Sequence, residues 1–160
     1  MKYLKTFEKL LQFNDPDVIN NPLFNFSKKL EYVLFKVKEL DNIEHKKKSK
    51  VNRYFNNNGD IRISYLDNSW LFKFKILQYD NDVILITNYH KRTNNIDNNS
   101  IELFNFIKEE LSNYIDSNNN YTKTYESYRF PMTDLDNIIE KFEKYKDFLE
   151  IKINAIKYNI

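Results

Sequence analysis

Asp60-Ile61-Arg62-Ile63-Ser64-Tyr65-Leu66, then Trp70-Leu71-Phe72-Lys73-Phe74-Lys75-Ile76, then Val83-Ile84-Leu85-Ile86-Thr87-Asn88-Tyr89 are three runs rich in β-branched and aromatic residues. Asp67-Asn68-Ser69 and Asp80-Asn81-Asp82 separate them. In the first two runs apolar side chains recur every second residue, as on a strand with one buried face, and the third is a compact apolar strand. Tight turns at both breaks predict a three-stranded antiparallel meander. The same period puts Lys73 and Lys75 opposite Phe72, Phe74 and Ile76, so one face of the sheet is expected to pack on helices and the other to be basic. Arg62 joins that basic face if the first strand is in register. The Asp80 and Asp82 carboxylates are read as turn chemistry rather than as a cation site.

The flanks read as helices. Residues 3–13 carry Tyr3, Leu4, Phe7, Leu10 and Leu11 at helical spacing and end at Asn14-Asp15-Pro16. Residues 15–22 read as a loop. Ser27 is the predicted N-cap of a stronger helix lined by Leu30, Val33, Leu34, Val37 and Leu40. Downstream, Ser100 is expected to cap a helix through Ile101, Phe104, Ile107 and Leu111. Residues 116–128 read as a polar loop punctuated by Tyr121, Tyr125 and Tyr128. Thr133 is the predicted cap of a long final helix, with Leu135, Ile138, Ile139, Phe142, Leu149, Ile153 and Ile156 on its apolar stripe and acidic residues in its first turn. That stripe suits packing either on its own domain or on a partner chain. The expected architecture is α+β: an antiparallel meander of three to four strands packed by helices, with an additional C-terminal helix. Residues 1–115 form the main domain, and 116–160 a loop and amphipathic helix packed on it.

Length and composition exclude several classes. A chain of 160 residues with 41% hydrophobic and 16% aromatic residues supplies one buried core. With no Cys and only two His, His45 and His90, neither a thiol nucleophile nor a standard zinc site is expected. Gly59 is the only glycine, which excludes a P-loop or a dinucleotide fingerprint, so no cofactor is expected. No apolar run approaches the roughly 20 residues of a membrane span, and the start lacks a signal-peptide core, so a cytoplasmic protein without membrane association is expected.

Charge is distributed unevenly. The net value is +2, but residues 1–44, 45–92 and 93–160 carry 0, +6 and −4. The densest basic run is His45-Lys46-Lys47-Lys48-Ser49-Lys50, followed by Arg53; it reads either as a solvated loop or as a phosphate-contacting edge. Arg62, Lys73 and Lys75 project from the meander, and His90, Lys91 and Arg92 lie at its exit. Such a set of cations suits phosphodiester binding or cleavage.

Asn58-Gly59-Asp60-Ile61-Arg62, Phe72-Lys73-Phe74 and the segment from Val83 through Asn88-Tyr89-His90-Lys91-Arg92-Thr93 follow one another in an order and spacing that resemble the RelE-like superfamily of bacterial toxins, in particular its HigB, phage-derived branch. The resemblance covers about residues 27–115. Lys73 stands where the family usually has Arg, and no Pro follows the Lys-Arg-Thr segment. The resemblance implies a ribonuclease that cuts messenger RNA, often on the ribosome, without a metal. In that chemistry a 2′-hydroxyl attacks the adjacent phosphorus, which requires a base, cations for the non-bridging oxygens and an acid for the leaving 5′-oxygen. By resemblance Arg62, Lys73, Lys91 and Arg92 stabilise the phosphate, and His90 transfers protons near neutrality. Lys46, Lys47, Lys48, Lys50, Arg53 and Lys75 would then extend the RNA-binding surface. The implied partners are mRNA or the ribosome and a cognate antitoxin. Two other readings stay open: a non-enzymatic phage or mobile-element encoded binding protein, and a structural subunit self-associating through residues 134–158.

Overall fold

Asp80 and Asn81 close the tightest hairpin of the sheet. Asp80 takes a positive φ of 52°, which a short Asp side chain tolerates, and strands β3 (Trp70–Tyr79) and β4 (Asp82–Lys91) run antiparallel from it with Tyr79 opposite Asp82. The computed structural model describes residues 21–45, 49–55, 60–66, 70–91, 98–116 and 125–159. The predicted helix at 3–13 and the turn at Asp67-Asn68-Ser69 lie outside these residues. Upstream, β1 (Lys50–Phe55) and β2 (Ile61–Leu66) complete one edge, and β5 (Tyr125–Pro131) pairs with β4 on the other, so the order is β1-β2-β3-β4-β5, antiparallel throughout.

The predicted α+β meander is therefore present, extended to five strands. The three predicted strands are β2, β3 and β4. Two segments differ from expectation: part of the basic run forms edge strand β1, and the end of the presumed loop at 116–128 forms β5. Ile115 bridges Tyr128, and the Asp116 N–H donates to the Ser127 carbonyl at 2.8 Å, so a short segment covers part of the β5 edge.

Helices α1 (Pro22–His45), α2 (Asn98–Glu110) and α3 (Leu135–Tyr158) pack on one face of the sheet. Ile61, Ile63, Tyr65, Phe72, Phe74, Ile76, Val83, Leu85, Tyr128 and Phe130 supply the sheet's half of the core. Phe26 of α1 meets Phe130 and Phe142 edge-on, at 6.1 and 5.8 Å between centroids, joining sheet, α1 and α3 at one point.

The helix starts lie slightly off their predicted caps. Asn21, not Ser27, caps α1: its Oδ1 accepts the Leu23 N–H at 2.9 Å, and Pro22 at the first helical position has no N–H to satisfy. Ser27 is inside the helix, fully buried, and its hydroxyl donates to the Phe24 carbonyl. Helix α2 begins at Asn98, two residues before Ser100. Thr133 falls in a 3-10 turn, and Asp134 takes the N-cap position of α3 without a side-chain cap because its carboxylate accepts the Tyr114 hydroxyl at 2.8 Å.

The stripe on α3 is turned into the chain's own core: Leu135, Ile138, Ile139, Phe142, Leu149 and Ile153 are buried, and Ile156 is exposed. Helices α1 and α3 lie parallel. Lys29–Glu143 (2.5 Å), Lys36–Glu150 (3.4 Å) and Glu39–Lys157 (2.7 Å) advance together along both and form a ladder between the helices. The Lys157 ammonium holds the Glu39 carboxyl below its ordinary value.

Candidate nucleic-acid interface

Residues directly opposite in antiparallel strands share a face. Arg62 is opposite Lys75, and Lys75 opposite Ile86; Ser64 is opposite Lys73, Lys73 opposite Asn88, and Asn88 opposite Tyr125. Since Ile61, Ile63, Phe72 and Phe74 point into the core, these partners project from the face away from the helices. The expected division into an apolar face and a basic face is observed, with Arg62 in register with Lys75.

These side chains line a groove of about 310 Å³, bounded by Arg62, Lys73, Lys75, Ile86, Asn88 and Tyr125. No carboxylate among the described residues pairs with Arg62 or Lys73, whereas Lys75 reaches Asp60 at 3.5 Å. Arg62 Nε and Asn88 Oδ1 are buried and have no hydrogen-bond partner among the described residues. A donor or acceptor left in that condition costs about 1–3 kcal/mol, which a ligand supplying the complement would recover. Phosphate oxygens are such a complement for a guanidinium.

The other sequence-predicted residues are not all gathered here. Arg53 lies on the opposite face, opposite Ile63, where its guanidinium pairs with Glu31 at 2.9 Å and sits over the Phe24 ring. Burial pushes the Glu31 carboxyl above its ordinary value although Arg53 and Lys28 act to lower it. Arg53 is thus the counter-charge of a half-buried acid between α1 and the sheet. Lys50 is exposed at the start of β1, opposite Leu66, four residues and therefore roughly 13 Å along the strand from the position that faces Arg62. The backbones of His90 and Lys91 extend β4 opposite Leu71 and Trp70. Arg92, Lys46, Lys47 and Lys48 lie outside the described residues. Among the described residues no group of three or more His, Asp or Glu is gathered, and Asp82 is taken by Arg129 at 2.6 Å.

Three of the residues that bound the groove, Ile86, Asn88 and Tyr125, are not among the sequence-predicted site residues. Ile86 and Asn88 sit in a strand that reads as an apolar run, and Tyr125 in a segment that reads as a polar loop. The signal for β5 was the alternation Glu126, Tyr128, Phe130 against Tyr125, Ser127, Arg129, of which only Tyr128 and Phe130 are apolar and core-facing.

No family model, curated protein or solved structure matches this chain. No helix among the described residues is long and apolar enough to cross a membrane.

Proposed function

We propose that this chain binds single-stranded RNA in the groove of Arg62, Lys73 and Lys75 and cleaves it without a metal ion, as a cytoplasmic messenger-RNA toxin restrained by a cognate antitoxin. The observation that carries this reading is the convergence of those three cations on one face, two of them without a carboxylate partner among the described residues. In this reading Arg62 and Lys73 neutralise the non-bridging oxygens as charge gathers on them. His90 takes the proton from the attacking 2′-hydroxyl, and an acid returns one to the departing 5′-oxygen, leaving a cyclic phosphate and a 5′-hydroxyl. Lys91 and Arg92 supply further positive charge. Purified protein incubated with messenger RNA, with and without ribosomes and with a chelator present, is expected to yield fragments carrying those ends. Combined Lys91→Ala and Arg92→Ala should abolish them. Intact RNA under every condition would remove the ribonuclease assignment.

A second reading has its own support. The described lining of the groove offers cations, an amide and a phenol but neither carboxylate nor imidazole, which suits a non-enzymatic phage or mobile-element encoded binding protein. That protein would bind RNA with the same salt dependence and leave it whole.

A further inference from the structure

We infer that Asn88 and Tyr125 form a base subsite beside the phosphate-binding cations, taking an unpaired base whose exocyclic amine lies beside a ring-nitrogen acceptor on its pairing edge, adenine or cytosine; this rests on the RNA reading of the groove. Lys73, Asn88 and Tyr125 are successive partners across β3, β4 and β5, so a cation, a carboxamide and a phenol ring stand in one line at the roughly 4.8 Å spacing of neighbouring strands. A nucleotide has that polarity along its length: phosphate at one end, base edge and base face at the other.

Asn88 is half-buried and its Oδ1 has no partner among the described residues, yet the residue borders the groove. An exocyclic N–H of adenine or cytosine donates to such an acceptor, and the neighbouring carboxamide N–H₂ can donate to the adjacent ring nitrogen, the two-point pairing that Asn makes with adenine. Uracil presents a carbonyl at the matching place and opposes Oδ1 with another acceptor. Tyr125, also half-buried, supplies a ring of the kind on which unpaired bases stack. Ile86, one row along β4, adds an apolar wall between Lys75 and Ser127.

The probes are three hexanucleotides of RNA: all adenosine, all uridine, and all N6,N6-dimethyladenosine, which keeps the ring face but has no exocyclic N–H. Binding is followed by fluorescence anisotropy across a salt series. The adenosine probe is expected to bind about tenfold more tightly than the uridine probe, and dimethylation should remove that advantage. Asn88→Ala should erase the preference while the salt slope stays as in the parent. Tyr125→Phe should keep the affinity and Tyr125→Ala should weaken all three probes several-fold. Because the dimethylated probe is read on the unaltered protein, the test does not depend on any variant folding. Equal affinity for the three probes with a steep salt slope overturns the base subsite and leaves the phosphate groove standing. A shallow slope indifferent to Arg62→Ala and Lys73→Ala overturns the RNA reading and the subsite with it.

Discussion

Replacing Arg62 and Lys73 together by glutamate is expected to weaken binding of single-stranded RNA by at least about a hundredfold at physiological salt. Each charge-assisted hydrogen bond is worth about 1.5–3 kcal/mol, so losing two removes roughly 3 kcal/mol or more before repulsion is counted, and each 1.4 kcal/mol is tenfold. The salt dependence separates this from a folding defect. The three groove cations contribute about −2 to the slope of log affinity against log salt, at about −0.7 per phosphate, and the double variant should remove about −1.4 of it or more. Arg53→Ala is the control, because Arg53 faces Glu31 on the other side of the sheet. It should leave RNA affinity unchanged and cost about 1–3 kcal/mol of stability, the Glu31 carboxylate being left half-buried without its counter-charge. Undiminished binding in the glutamate double variant would detach the groove from any role in RNA recognition.

The largest stability effect is expected at Asp41→Ala, a loss of about 3–5 kcal/mol in urea unfolding. Asp41 is fully buried near the end of α1, where its carboxylate accepts the Tyr65 hydroxyl of β2 and, at 2.6 Å, the Asn99 amide in the first turn of α2. One acid therefore ties three elements together. Truncation leaves the Tyr65 hydroxyl and the Asn99 amide buried without that acceptor, at about 1–3 kcal/mol each. Tyr65→Phe removes one donor and should cost less, about 1.5–3 kcal/mol. The native state of a domain this size is worth only about 5–15 kcal/mol, so Asp41→Ala should be visible even as reduced yield. A loss below about 1 kcal/mol would mean that this junction does not hold α2 in place.

The central meander was legible because β2 and β3 alternate cleanly, and because Asp80-Asn81 offers a residue tolerant of positive φ where the chain reverses. The edge strands were not. In β1 Val51 packs against the core and Arg53 shares its face, so a cation breaks the apolar period; the Glu31 partner on α1, remote in sequence, makes that position acceptable. In β5, Glu126 occupies a core-facing position and is matched by Lys108 of α2 at 3.1 Å and by the Tyr128 hydroxyl at 2.5 Å. Both strands thus rest on tertiary partners that no local pattern reveals. The same reasoning applies to the site. Period two was enough to put Lys73 and Lys75 on one face, but the alignment of Arg62 with Lys75 and of Asn88 with Tyr125 is a matter of register, fixed by pairing between segments up to several tens of residues apart. Charge alone puts Arg53 with the RNA-binding cations, and charge does not say which face a strand residue takes.

Amide chemical-shift mapping with a short single-stranded RNA tests the cationic groove most directly. The expected result is a contiguous set of perturbed amides at Arg62, Ser64, Lys73, Lys75, Asn88 and Tyr125, with the outer surfaces of α1 and α3 unchanged. Perturbations confined to the helix layer, for instance around the exposed Tyr32, Phe35 and Phe148, or none at saturating RNA, would contradict it.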